Sequence, residues 1–121
     1  MRKDDAIRLR HMRDAAREAV SFVQGRTRDD MERDRQLVLA LVKDIEIVGE
    51  AAAKIAETTR RCLSEIPWQR IVGMRHRLVH AYFDINLDIV WNTVREELPE
   101  LIALLDALTP PEPGSTEEVE R

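Results

Sequence analysis

The chain is predicted to be all-α, an antiparallel bundle of four to five helices, on three observations. Only four glycines, five prolines and five aromatic residues occur in 121 positions, while Ala, Leu, Val, Arg and Glu dominate, a mixture that favours helices over strands. Two long segments place apolar residues at alternating steps of three and four, the spacing of a helix packed lengthwise against others. No stretch shows strand alternation bounded by hairpin turns, and there are no internal repeats. With 44% hydrophobic and 35% charged residues the chain has enough apolar side chains for one core and too many for a disordered polymer.

The first helix is predicted from Asp4 or Asp5 to Gln24, because carboxylates suit a helix start and Gly25 suits the position past its end. Ile7, Ala15, Ala19, Phe22 and Val23 form its apolar side. Arg10, Arg13 and Arg17 fall roughly opposite, a strip read as solvated surface, with an RNA-facing role as the alternative. Residues 26–34 are polar, with a short turn around Met31. Next comes the most regular pattern in the chain: Val38, Leu41, Ile45, Val48, Ala52, Ile55, Thr59 and Cys62, read as one long helix. Gly49 and Ala51–Ala53 would allow close approach by a neighbour. Cys62, the lone cysteine, ends this seam and reads as a packing residue.

A third helix is predicted to begin near Pro67, with Ser64 as a nearby cap, and to run to Phe83. After a break at Asp84–Asn86, Asn86 can cap a fourth helix, whose seam is Leu87, Trp91, Val94, Leu98, Leu101, Leu105 and Leu108. Pro99 lies inside that run and cannot donate a backbone hydrogen bond, so a kink or two abutting helices is expected there. Residues 1–109 are read as the folded domain and 110–121, rich in Pro and Glu, as a disordered acidic tail.

The formal net charge is -4, which excludes a generically basic nucleic-acid binder and leaves room only for local RNA contacts. Nothing resembles a signal segment, and no run approaches the roughly 20 apolar residues of a membrane span. With one cysteine and no possible internal disulfide, a reducing cytoplasm is the expected compartment.

The third segment carries the chemistry. On a straight helix at about 100° per residue, Trp68, Ile71, Val72, Leu78, Val79, Tyr82 and Phe83 share a broad apolar face with Arg75 in its middle. A guanidinium cannot shed its proton, so among apolar groups it needs an anion, either a structural carboxylate such as Glu46 or Glu50 or a functional phosphate. His76 and His80 stand four residues apart. Histidine is matched to proton transfer near neutral pH, and Arg to the negative charge that a phosphorane gains. Together they suit RNA cleavage without a metal: a base takes the ribose 2′-OH proton, the oxygen attacks the adjacent phosphate, and an acid protonates the departing 5′ oxygen. The two histidines also have the spacing of a metal pair, but no Glu-containing zinc motif completes a site. Arg followed five positions later by His is weak by itself, since sixteen Arg and three His yield about 0.4 such pairs by chance. On a straight helix Arg75 and His80 would also diverge by about 140°, so a local bend or a second copy of the chain is needed for both to reach one phosphate, and a homodimer is the favoured arrangement.

The string Ile66-Pro67-Trp68 through Gly73-Met74-Arg75-His76-Arg77-Leu78-Val79-His80-Ala81-Tyr82-Phe83, followed by Leu87-Asp88-Ile89-Val90-Trp91 and Leu98-Pro99, resembles the HepT toxins of the HEPN superfamily. Their mark is Arg, a polar residue, three further residues, His, one residue, then Tyr. Ile45-Glu46-Ile47-Val48-Gly49-Glu50-Ala51-Ala52 is similar to that family's long second helix, so the likeness spans roughly residues 6–108. It implies a helical HEPN bundle that dimerises around an RNA-cleaving cleft and needs no metal or cofactor. Arg75 and His80 would be catalytic, with His76 and Arg77 supporting them or touching RNA; His76 occupies a polar position that is often Asn. The resemblance further implies the toxin of a type VII toxin–antitoxin pair, whose minimal nucleotidyltransferase antitoxin transfers AMP to Tyr82. A bulky anion there would repel the RNA backbone. The alternative is a noncatalytic nucleotide-binding partner of a nucleotidyltransferase.

Overall fold

The computed structural model describes residues 2–78 and 84–108, and the described residues fold as helices joined by short turns. The order is α1 (Lys3–Phe22), α2 (Asp30–Arg33), α3 (Arg35–Ala53), α4 (Glu57–Cys62), α5 (Trp68–Val72), a 3-10 turn (Met74–Arg77), α6 (Leu87–Asn92), a π turn (Thr93–Glu97) and α7 (Leu98–Leu108). α1 packs along α3 and α7, and α3 also meets α5 and the 3-10 turn. The predicted all-α bundle is therefore the observed fold. Among the described residues no helix is long and apolar enough to cross a membrane. The predicted tail, residues 110–121, lies outside the described residues.

Gly25 adopts φ +71° just after α1, the left-handed conformation that a side chain resists, and this ends the first helix where its sequence position suggested. Leu9 and Met12 join Ala15, Ala16, Ala19 and Val23 in the core, whereas Phe22 is exposed. The arginine strip of α1 meets α7: Arg17 Nη2 donates to both Asp106 carboxylate oxygens at 2.9 Å, and Arg13 Nη1 lies 4.0 Å from Asp106. Arg17 stays half-exposed, as the solvated-surface reading expects, while pairing with Asp106 at the edge of α7.

α3 is the central element. Leu41, Ile45 and Val48 are fully buried, each contributing about 1.5–3 kcal/mol. Its start is fixed by Asp34, whose carboxylate accepts from Leu37 N at 3.0 Å and from Arg26 Nη2 at 2.8 Å, an N-cap that is itself anchored.

The long second helix of the sequence reading is broken in two. α3 stops at Ala53 and the chain restarts as α4 at Glu57. α4 has Ala56 at its cap position, with no side chain to offer, and takes a substitute from α1: Asp5 accepts from Ala56 N at 3.2 Å and from Thr59 Oγ1 at 2.6 Å. Thr59 is thus buried by a polar bond, and the three-and-four pattern past Ile55 was coincidental. Cys62 is exposed, which corrects the packing role expected of it.

Ser64 does not cap α5; Pro67 itself occupies that N-cap, with no side-chain bond. Trp68 Nε1 donates to Leu63 O at 3.1 Å, while the Arg60 guanidinium, bonded to Ala52 O at 2.9 Å, stands 5.7 Å from the Trp68 ring centre. These contacts tie the start of α5 to the end of α3. At the other end, Asn86 caps α6 as expected, accepting from Ile89 N at 3.1 Å. Val94, Leu98, Leu101 and Leu105 are buried, so the predicted seam holds through Pro99. The strain is taken up just before the proline, where the helix widens and Leu98 N donates to Thr93 O, five residues back. Pro99 then sits in the first turn of α7, where a missing N–H is harmless.

Candidate active site

The segment expected to be one helix from Pro67 to Phe83 is regular only as far as Val72. Gly73 follows, and Met74–Arg77 tighten into a 3-10 turn with bonds from His76 N to Gly73 O at 3.0 Å and from Leu78 N to Arg75 O at 3.2 Å. The change of pitch decides which side chains face inward. A 3-10 turn has about three residues per turn, so Met74, three positions after the buried Ile71, takes the inward place. Met74 is 2% and Leu78 0% exposed. Arg75, assigned by a straight helix to the middle of the apolar face, is turned outward instead.

Close approach of α5 to α3 holds this turn in place. At Gly49 a Cβ would stand 3.4 Å from Ile71 O and 3.6 Å from Val72 O, so the last carbonyls of α5 rest almost directly on the α3 backbone. The turn is then pinned at its exit, where Asn86 N donates to Leu78 O at 2.6 Å.

Arg75 Nε lies 3.7 Å from Glu46 Oε2, with the two side chains 56% and 29% exposed. The pair is too long for a hydrogen bond and too open for a structural lock. The sequence offered Glu46 or Glu50 as a carboxylate partner, and Glu46 is the one that faces Arg75. The guanidinium remains presented to solvent with its N–H fork available to an anion. His76 is exposed on the same turn.

Arg77 turns the other way. Its Nη1 donates to Glu97 Oε2 and its Nη2 to Glu97 Oε1, both at 3.4 Å. Arg70 grips the same carboxylate in a two-pronged bond, Nε to Oε1 at 3.0 Å and Nη2 to Oε2 at 2.9 Å. Burial works against the charge on Glu97, but the bonds from Arg70 and Arg77 outweigh it and hold the carboxyl below its usual range. Four basic side chains within eight residues, Arg70, Arg75, His76 and Arg77, are thus divided: two are committed to Glu97 and two face outward. His80 and Tyr82 lie outside the described residues. The straight-helix geometry that separated Arg75 from His80 by about 140° does not apply, since regular helix ends at Val72.

A family model described as "Ribonuclease HepT-like" matches residues 12–108. The chain belongs to the HepT-like ribonuclease family. That match runs from the middle of α1 to the last residue of α7 and includes the Met74–Arg77 turn. "Putative RNase TTE0752" of Caldanaerobacter subterraneus subsp. tengcongensis is 37% identical over 93 residues, covering 77% of this chain and 83% of the relative. "Probable ribonuclease HepT" of Thermococcus cleftensis is 35% identical over 88 residues, covering 69% and 80%. "Putative RNase MJ0127" of Methanocaldococcus jannaschii is 25% identical over 107 residues, covering 88% of each chain. No solved structure matches.

Glu97 is the residue that sequence reasoning missed. Arg70 and Arg77 are seven apart, two helical turns, and so share one side of their segment; such a pair calls for a carboxylate partner. Nothing in the sequence says that the partner comes from 20 residues further on.

Proposed function

We propose that this chain is a metal-independent endoribonuclease in which Arg75 and His80 act on one RNA phosphate. One observation carries the reading: in a HepT-like fold, the motif arginine stands 56% exposed on a tight turn, with its nearest carboxylate at 3.7 Å. A guanidinium fork so placed can hold the phosphate oxygens and stabilise the charge they gain in the transition state. His80 would accept the 2′-OH proton as the 2′ oxygen bonds to phosphorus. The bond to the 5′ oxygen breaks, and a second imidazole, His76 or the His80 of another copy, would return a proton to it. The products are a 2′,3′-cyclic phosphate and a 5′-hydroxyl. Arg77, bound to Glu97, has the supporting role and holds the turn.

In the same proposal two chains pair through this face, so that a composite cleft holds both an acid and a base. The protein acts in the cytoplasm as a toxin and is neutralised by a minimal nucleotidyltransferase that transfers AMP to Tyr82. A phosphate on Tyr82, two residues from His80, would compete with RNA for Arg75. Residues 1–109 would constitute the active domain and 110–121 a dispensable tail.

The reading is tested by incubating the purified protein with RNA in excess chelator and analysing the new ends by mass spectrometry. Cyclic phosphate ends lost in His80→Ala support it. Ends bearing a 5′-phosphate, or cleavage undiminished in His80→Ala, would refute it.

A further inference from the structure

We propose that Glu97 is a positioning residue for the cleaving turn: its carboxylate grips Arg70 before the turn and Arg77 at its end, and so fixes the direction in which Arg75 leaves the backbone. This rests on the ribonuclease reading above.

The turn has little of its own to hold it. It is four residues long, its two short-range bonds are those from His76 N and Leu78 N, and the Glu46 contact at 3.7 Å does not fix the Arg75 side chain. Buried Met74 and Leu78 anchor one side of it. On the opposite side the anchor is Glu97, which makes four hydrogen bonds to two guanidinium groups. Arg77 Nη2 also reaches Arg70 O at 3.4 Å, which closes a ring from α5 through the turn to Glu97. The two-pronged bond from Arg70 specifies direction as well as attraction, because both planar groups must be aligned.

The element that delivers Glu97 is itself unusual. Glu97 is the last residue of the π turn, and that turn keeps Val94 and Leu98 both fully buried while the carboxylate faces the two arginines. Single π turns recur at functional sites, and here the widened turn links a proline's backbone requirement to the placement of an acid. The clamp residues Arg70 and Glu97 themselves line a cavity of about 70 Å³, together with Pro67, Met74, Glu100 and Leu101. Met74 therefore has room to shift if the clamp is released, carrying Arg75 with it.

The test compares kcat and KM for RNA cleavage by the wild type, Arg75→Ala, Glu97→Ala, Glu97→Gln and Arg70→Gln, together with amide exchange across residues 74–77. Glu97→Ala is expected to lower kcat by about tenfold to a hundredfold with KM within about threefold, as displacement of a catalytic group by an ångström does. Glu97→Gln, which keeps the shape and one acceptor, should recover part of the rate. The turn's amides should exchange faster in Glu97→Ala while those of α3 do not. Arg70→Gln alters a half-exposed side chain, leaves the core untouched, and should lower kcat in the same direction. Arg75-dependent cleavage that Glu97→Ala and Arg70→Gln leave at the wild-type kcat would overturn the positioning role alone. No cleavage by the wild type, or equal cleavage by Arg75→Ala, would overturn the ribonuclease reading and this role with it.

Discussion

Replacing Asp44 by Asn should make the protein more stable at pH 8 and leave it nearly unchanged at pH 3. Asp44 sits on the α1-facing side of α3, 2% exposed, and its Oδ2 has no hydrogen-bond partner among the described residues. Burial, and secondarily the Glu18 carboxyl beside it, push its pKa up to about 7; His11 and Asp14 of α1 border the same shallow depression. A raised carboxyl pKa means that the folded state holds the proton more tightly than the unfolded chain. Its contribution is then fully present below the unfolded value near 3.8 and is lost as pH rises through 7. Each pKa unit is worth about 1.4 kcal/mol, giving a ceiling near 4 kcal/mol. The depression beside Asp44 is open to water, which screens part of that and leaves about 2 kcal/mol. Asn keeps the size and stays neutral, so Asp44→Asn should gain about 2 kcal/mol at pH 8. Urea unfolding of both proteins at pH 3 and pH 8 measures this. If the wild type and Asp44→Asn lose or gain the same amount between the two pH values, Asp44 is not the titrating group and the reasoning fails.

Two further substitutions probe the elements that hold the site. Asp5→Ala removes the borrowed cap of α4 and orphans the buried Thr59 hydroxyl, and should cost about 2 kcal/mol in urea unfolding at pH 7. The Thr59 bond, working against burial, lowers the Asp5 pKa, so its contribution is present above about pH 4 and is lost as pH falls through the folded-state value; equal stability of the two proteins at pH 7 would contradict this. Gly49→Leu forces a side chain against Ile71 O and Val72 O. It should cost about 1–3 kcal/mol and shift the amide resonances of residues 71–77 most. Shifts confined to α3 would show that α5 does not rest on Gly49.

Long-range periodicity was the most legible feature of the sequence, and the seams Val38–Ala52 and Val94–Leu108 became core because apolar spacing and burial share a cause. The α3–α4 break was illegible for a specific reason. Thr59 and Cys62 continue the spacing by accident, and the Asp5 contact that buries Thr59 joins residues 54 positions apart. Pro99 signalled a disturbance, but the choice of a π turn over a kink depends on keeping Val94 and Leu98 buried together. At the candidate site the residue types were readable and the geometry was not. A helical wheel assumes constant pitch, and the change at Gly73 exchanges Met74 for Arg75 on the inner face. The correct face of Arg75 strengthens the chemical case, since an exposed guanidinium can meet a phosphate that a buried one could not.

Single-turnover cleavage of RNA in excess chelator by the wild type and by Arg75→Ala tests the central claim most directly. Removing the guanidinium that stabilises the developing charge should slow the cut by about a hundredfold to a thousandfold, with the helical fold retained by circular dichroism. Equal rates in the two proteins would mean that RNA is cut somewhere other than at the Arg75 turn.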